Sequence, residues 1–201
     1  MIKNVIFDLG RVIYNYWPRE DLLELGFSEE RADLFVSRVF ANPIWLEHDR
    51  GTYTLPELVD KLSKDYPDMA DDLKRVFDGT WVDRVITIMQ PNLEFFYEVK
   101  RRGFKVYILT NFPGDSFAHC RKRDAFFDDA DGIVVSAYEK LVKPDPAIYQ
   151  CILDRYDLVP EETVFIDDSE KNIEAAKALG IHGIVFSDLE DGKRQFEALV
   201  K

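Results

Sequence analysis

The sequence predicts an α/β protein: a parallel sheet with helices on both faces, interrupted early by an all-helical insert. Three observations carry this. Short runs rich in β-branched and aromatic residues, among them Asn4-Val5-Ile6-Phe7, Val106-Tyr107-Ile108-Leu109 and Val164-Phe165-Ile166, have the length and unbroken apolarity of strands buried on both faces. From Pro91 onward such runs alternate with helical patterns, as parallel strands joined by crossover helices require. Between residues 15 and 90 the strand-like runs disappear, and Leu22, Leu23, Leu58, Leu62, Leu73 and Val76 fall at helical spacings among charges.

The elements follow in order. The first strand runs straight into Asp8 and Gly10. In the insert, helices are expected to begin near Pro18, Ser28, Thr54 and Met69. Ser28-Glu29-Glu30-Arg31 and Thr54-Leu55-Pro56-Glu57 resemble capped starts, and Asp49-Arg50-Gly51-Thr52 reads as a turn. A helix ending near Gly103 then precedes a strand at 104–109, and a weaker helix precedes Gly132-Ile133-Val134-Val135-Ser136. Helix 145–157 leads to a strand at 163–166, helix 169–179 to a strand at 182–186, and a last helix closes the chain. The expected organisation is a core of residues 1–14 and 91–201 with a helical cap of residues 15–90.

A chain of 201 residues holds one sizeable core, or a core with a smaller insert. With 38 acidic against 26 basic residues the net charge is −12, which repels phosphate backbones and anionic lipids, so neither nucleic acid nor membrane is an expected partner. Cys120 and Cys151 have no metal-ligand spacing and make no disulfide framework. With no basic and apolar leader and no membrane-length apolar run, the expectation is a cytoplasmic protein, a monomer or a weak dimer.

Chemistry enters where three strands end. In open parallel sheets the carboxyl edge is where ligands bind. Asp8, placed there, could serve as nucleophile, base or metal ligand, or simply cap the next segment. Thr110-Asn111 offers hydroxyl, amide and N–H donors suited to a phosphate oxygen, and equally suited to a turn. Asp167 and Asp168 repel each other unless a cation sits nearby, and an oxygen-only donor set favours magnesium over zinc; the alternative is a cap on the following helix. Lys143 is stiffened by Pro144, although a solvated surface lysine fits as well. Taken together, a cation between Asp8 and Asp168 with Lys143 opposite would let a carboxylate attack a phosphate dianion.

Phe7-Asp8-Leu9-Gly10-Arg11-Val12-Ile13, Leu109-Thr110-Asn111, Val142-Lys143-Pro144-Asp145-Pro146 and Phe165-Ile166-Asp167-Asp168-Ser169, with Asn172 beyond, resemble the four motifs of the haloacid dehalogenase-like hydrolase superfamily, in order. The Asp-Leu-Gly opening resembles its glucose-1-phosphate phosphatases and the phosphatase domain of epoxide hydrolases. The resemblance implies a Rossmann-like core and a phosphatase in which Asp8 becomes an aspartyl phosphate. It further implies magnesium held by Asp8, the Gly10 carbonyl and Asp168, with Asp167 at or just behind the ion. Thr110, Asn111 and Lys143 would hold the phosphoryl oxygens of a small phosphorylated metabolite, and Asn172 would orient the acidic loop or lie on a helix surface.

The chain departs from this pattern at Gly10, where most such phosphatases place an aspartate that protonates the leaving oxygen. A missing general acid slows release of a poor leaving group by about 10²- to 10⁴-fold, so sugar 1-phosphates and other easily cleaved esters are expected substrates. Arg11 is a second departure, expected to point to solvent. His48 and Arg50, at the insert's turn, are candidates for contact with substrate, His48 as a replacement acid. Trp17, Trp45 and Trp81 are expected in the core or hinge of the insert. Two other readings stay open: a metal-independent 2-haloacid dehalogenase, and a phosphate-binding module with little turnover.

Overall fold

In chain order the strands are β1 (Asn4–Phe7), β2 (Tyr14–Asn15), β3 (Thr87–Ile88), β4 (Lys105–Thr110), β5 (Gly132–Val135), β6 (Thr163–Asp167) and β7 (His182–Val185) in a computed structural model that describes residues 1–201. Five of them form one all-parallel sheet in the order β5-β4-β1-β6-β7, with β1 at its centre. Successive residues alternate between two apolar layers because side chains on a strand point to opposite faces. Val5, Phe7, Val106, Ile108, Val164 and Ile166 pack on one side against Phe95, Phe96, Val99 and Phe196, from helices Gln90–Arg101 and Leu189–Leu199. Ile6, Tyr107, Leu109 and Phe165 pack on the other against Ile148, Tyr149, Ile152 and Ile173, from helices Pro146–Arg155 and Glu170–Lys177. Burial on both faces explains why these strands carry no polar alternation.

Between β2 and β3 every element is helical. Thr54 and Glu57 form the reciprocal cap expected from their spacing, and the Ser28 side chain accepts from Arg31 N–H. Two short helices escape the periodicity reading: Pro43–Asp49, started by Asn42 with Pro43 in its first turn, and Trp81–Val85. Asn42-Pro43 is a start signal in its own right, a capping residue followed by proline. The two-residue strands β2 and β3 were also too short to leave a pattern. They pair antiparallel, Tyr14 with Ile88 and Asn15 with Thr87, where the chain leaves the sheet region and returns. No helix is long and apolar enough to cross a membrane.

Candidate active site

Register brings the reactive residues together. Phe7 lies beside Ile108 on one side and Ile166 on the other, so the next residue of the chain after β1, Asp8, stands level with Asp167 at the end of β6. Asp8 N–H donates to the Ile166 carbonyl (2.9 Å), which continues the ladder by one bond. The carboxylates of Asp8, Asp167 and Asp168 each place an oxygen within 4.8 Å of the others.

Lys143 lies among them, 2% exposed, which excludes the alternative of a solvated surface lysine. Its ammonium stands 2.8 Å from Asp8 Oδ1, 2.6 Å from Asp167 Oδ2 and 3.2 Å from the Leu109 carbonyl. Burial works to discharge it, but Asp167 and Asp8 prevail and hold it above the ordinary lysine range. Asn111 fixes the loop that delivers it, since its side-chain oxygen accepts from Lys143 N–H (2.8 Å) and its amide donates to the Lys143 carbonyl (3.0 Å). Asn111 therefore positions Lys143 as its main observed task, and one amide hydrogen is left for a ligand.

Asp8 is buried at the sheet edge. Its carboxyl is raised chiefly by burial and further by Asp167 and Asp168, against the pull of Lys143. Asp8 Oδ2 has no hydrogen-bond partner in the chain. Asp167, fully buried, is saturated instead: besides Lys143 it accepts from Ser169 N–H (2.8 Å) and from the Asn172 amide at 3.0 and 3.1 Å. The neighbouring-acid repulsion expected between Asp167 and Asp168 is thus relieved on the Asp167 side by protein donors. Asn172 faces the acidic loop and not the helix surface.

Asp168 is half-buried and raised, first by burial and then by Asp167. Arg11 Nη1 approaches it to 3.5 Å, while Arg11 Nε donates to the Tyr16 carbonyl (3.3 Å) and the guanidinium stacks 4.2 Å from the centre of the Trp17 ring. Arg11 does not simply point to solvent. Three carboxylates with one buried lysine and one half-exposed arginine leave an oxygen-rich, net negative pocket whose donor set fits a hard divalent cation.

Two cavities flank the turn after β1. The smaller, of about 90 Å³, touches Gly10, Asn111 and Ser116 from the sheet side and Trp45, His48 and Asp49 from the insert. The larger, of about 720 Å³, is bounded by Arg11, Trp17, Trp45 and Asp49 among others. Trp45 and Trp81 therefore serve as cavity wall as well as packing. Thr110 is buried at the last position of β4. His48 lines the smaller cavity with Nδ1 2.7 Å from the Tyr53 carbonyl; because a carbonyl only accepts, Nδ1 carries the proton. Arg50 lines neither cavity and spends its guanidinium on Glu47 and on the Lys140 carbonyl. Asp49, read from the sequence only as part of a turn, is the acid that reaches both cavities.

Residues 2–180 match the family model of the haloacid dehalogenase-like hydrolases. The chain belongs to that family. As a haloacid dehalogenase-like hydrolase it is an enzyme, and its parallel sheet with helices on both faces accords with that membership. It is similar to the sesquiterpene phosphatase astK of Aspergillus oryzae, 28% identical over 92% of this chain and 90% of that one. It is also similar to the bifunctional epoxide hydrolase 2 of Sus scrofa, 28% identical over 98% of this chain but only 38% of that longer protein. Among solved structures, the magnesium complex of the haloacid dehalogenase family enzyme bt-2542 from Bacteroides thetaiotaomicron superposes with a TM-score of 0.73, at 26% identity, over 97% of this chain and 98% of the other.

Proposed function

We propose that this hydrolase is a magnesium-dependent phosphomonoesterase that works through an aspartyl phosphate on Asp8. The observation that carries the reading is the cluster itself: three carboxylates drawn together at the sheet edge around one buried ammonium, with Asp8 Oδ2 left free. Asp8, the Gly10 carbonyl and Asp168 would hold the ion, with Asp167 behind them. When bound, magnesium supplies positive charge that offsets repulsion between Asp8 and a phosphoryl dianion.

The chain's own residues do the rest. Lys143 pins Asp8 Oδ1 and so aims Oδ2, while Asp167, itself fixed by Asn172 and Ser169, keeps Lys143 charged. Thr110 and the remaining amide hydrogen of Asn111 are offered to the phosphoryl oxygens, and contact from Lys143 would replace one of its present partners. Residues 15–90 act as a cap over a core of residues 1–14 and 91–201, closing the cleft against water. The substrate is a small phosphorylated metabolite, a sugar 1-phosphate among the candidates, whose body lies against Tyr16, Trp45 and Trp81. The similarity to a protein named as a phosphatase, and to one crystallised with magnesium, supports the same reading.

Phosphate release from a panel of phosphomonoesters, with magnesium and with chelator, tests it. Turnover should need the ion and fall by at least about 10³-fold in Asp8→Asn. Metal-independent halide release from 2-haloacids, with no phosphate release, would instead establish the dehalogenase reading. Magnesium-dependent binding of a sugar phosphate without turnover would establish the binding module.

A further inference from the structure

Gly10 leaves the leaving-group oxygen without a proton donor on the turn after β1. A carbon added at Gly10 would meet nothing within 4 Å, so the volume that an acidic side chain would fill there is open. That volume belongs to the smaller cavity, and Asp49 is the only carboxylate in its wall. No arginine, lysine or hydrogen-bond donor of the chain meets the Asp49 carboxylate oxygens, in contrast to Asp167, which is saturated.

The Asp49 main chain, by contrast, is tied down. Its carbonyl accepts from Ser136 Oγ (2.5 Å), Arg50 Nη1 donates to the Lys140 carbonyl (3.3 Å), and Lys140 Nζ donates to the Gly51 carbonyl (2.6 Å). Gly51 sits at φ +74°, and any Cβ there would lie 2.7 Å from the Ala137 carbonyl oxygen, so only glycine lets the two segments approach this closely. Residues 136–140 directly follow β5 of the same sheet that carries Asp8. Asp49 is thereby held at a fixed place relative to the nucleophile although 41 positions separate them in sequence.

We propose that Asp49 is the general acid and base of this enzyme, taking from the insert the part that the residue at Gly10 cannot play. The inference rests on the phosphatase reading above. Asp8 Oδ2 forms a bond to phosphorus as the ester P–O bond breaks; the electron pair goes to the leaving oxygen, which takes the Asp49 proton and departs as the alcohol. The Asp49 carboxylate then accepts a proton from the water whose oxygen attacks phosphorus. The bond to Asp8 breaks, phosphate is released and Asp49 is again protonated.

Burial, the largest influence, together with the Asp8 charge and against Lys143, pushes the Asp49 carboxyl up to about 8, so it carries its proton near neutrality. A cation shared by Asp8 would cancel the Asp8 contribution and leave the burial in place. Tyr16, directly after β2, lines both cavities with Asp49, and Arg11, in the turn after β1, lines the larger. The consequence for substrate class is direct: esters of ordinary alcohols, which need a protonated leaving group, become substrates despite Gly10.

The test compares kcat/KM, which reports steps up to aspartyl-phosphate formation, for an alkyl phosphate and for p-nitrophenyl phosphate, whose leaving group needs no proton. Asp49→Asn should lower the alkyl value by about 10²- to 10⁴-fold and the p-nitrophenyl value by at least about 10-fold less. Adding Gly10→Asp to Asp49→Asn should recover alkyl turnover. Equal losses on both substrates without recovery would make Asp49 merely structural and overturn the proposal, as would no loss on either. A wild-type enzyme that cleaves p-nitrophenyl phosphate but no alkyl phosphate would overturn it while the phosphatase reading stands. Unchanged p-nitrophenyl phosphate turnover in Asp8→Asn would instead defeat that reading.

Discussion

The two ends of the central sheet use charge in opposite ways. At the amino end Lys3 meets Glu162 at 2.8 Å, and Asp131 takes both Lys100 (3.0 Å) and Lys105 (2.8 Å). Lys3 and Lys105 are about two-thirds exposed there, and three lysines meet two acids. At the carboxyl end Asp8, Asp167 and Lys143 are buried, acids outnumber bases, and one ammonium serves two carboxylates. Exposed pairs contribute about 0–1 kcal/mol each, whereas a buried charge that loses its partner is a large liability. The same strands thus end once in a surface that tolerates change and once in a cluster that does not.

Lys143→Met should break the contrast most severely. It leaves Asp8 and Asp167 buried without their cation, so stability should fall by about 3–5 kcal/mol in denaturant unfolding, with turnover lost in whatever remains folded. Asn172→Ala is milder: Asp167 keeps Lys143 and Ser169 N–H but loses two charge-assisted bonds, for about 1.5–3 kcal/mol by the same measurement.

At the amino end, Asp131→Asn should reduce stability by only about 1 kcal/mol at neutral pH. Burial alone would raise the Asp131 carboxyl, but Lys105, the Val106 N–H and Lys100 together hold it below its ordinary value. Its contribution is therefore present above the unfolded-state value and fades as pH drops through the folded one, so variant and wild type should converge in acid. A constant gap down to about pH 2, below both values, would contradict that origin.

Much of the carboxyl edge was legible because it is local: each buried strand announces itself by apolarity, and register alone delivers the next residues of the chain to the edge. Asp8, Thr110, Asp167 and Asp168 needed nothing more. Lys143 was harder, since its burial depends on Asn111 gripping its main chain from a different loop. Asp49 was legible only as part of a turn, because the seven-residue helix that carries it gains its position from Ser136 and Lys140, far along the chain. Pattern reports what a segment does by itself; these side chains acquire their roles from docking.

Ser136 Oγ accepts the Phe112 N–H (2.9 Å) and donates to the Asp49 carbonyl, so one hydroxyl joins the loop after β4 to the helical insert. Without that hydroxyl, the loop and the insert would lose a shared anchor at once.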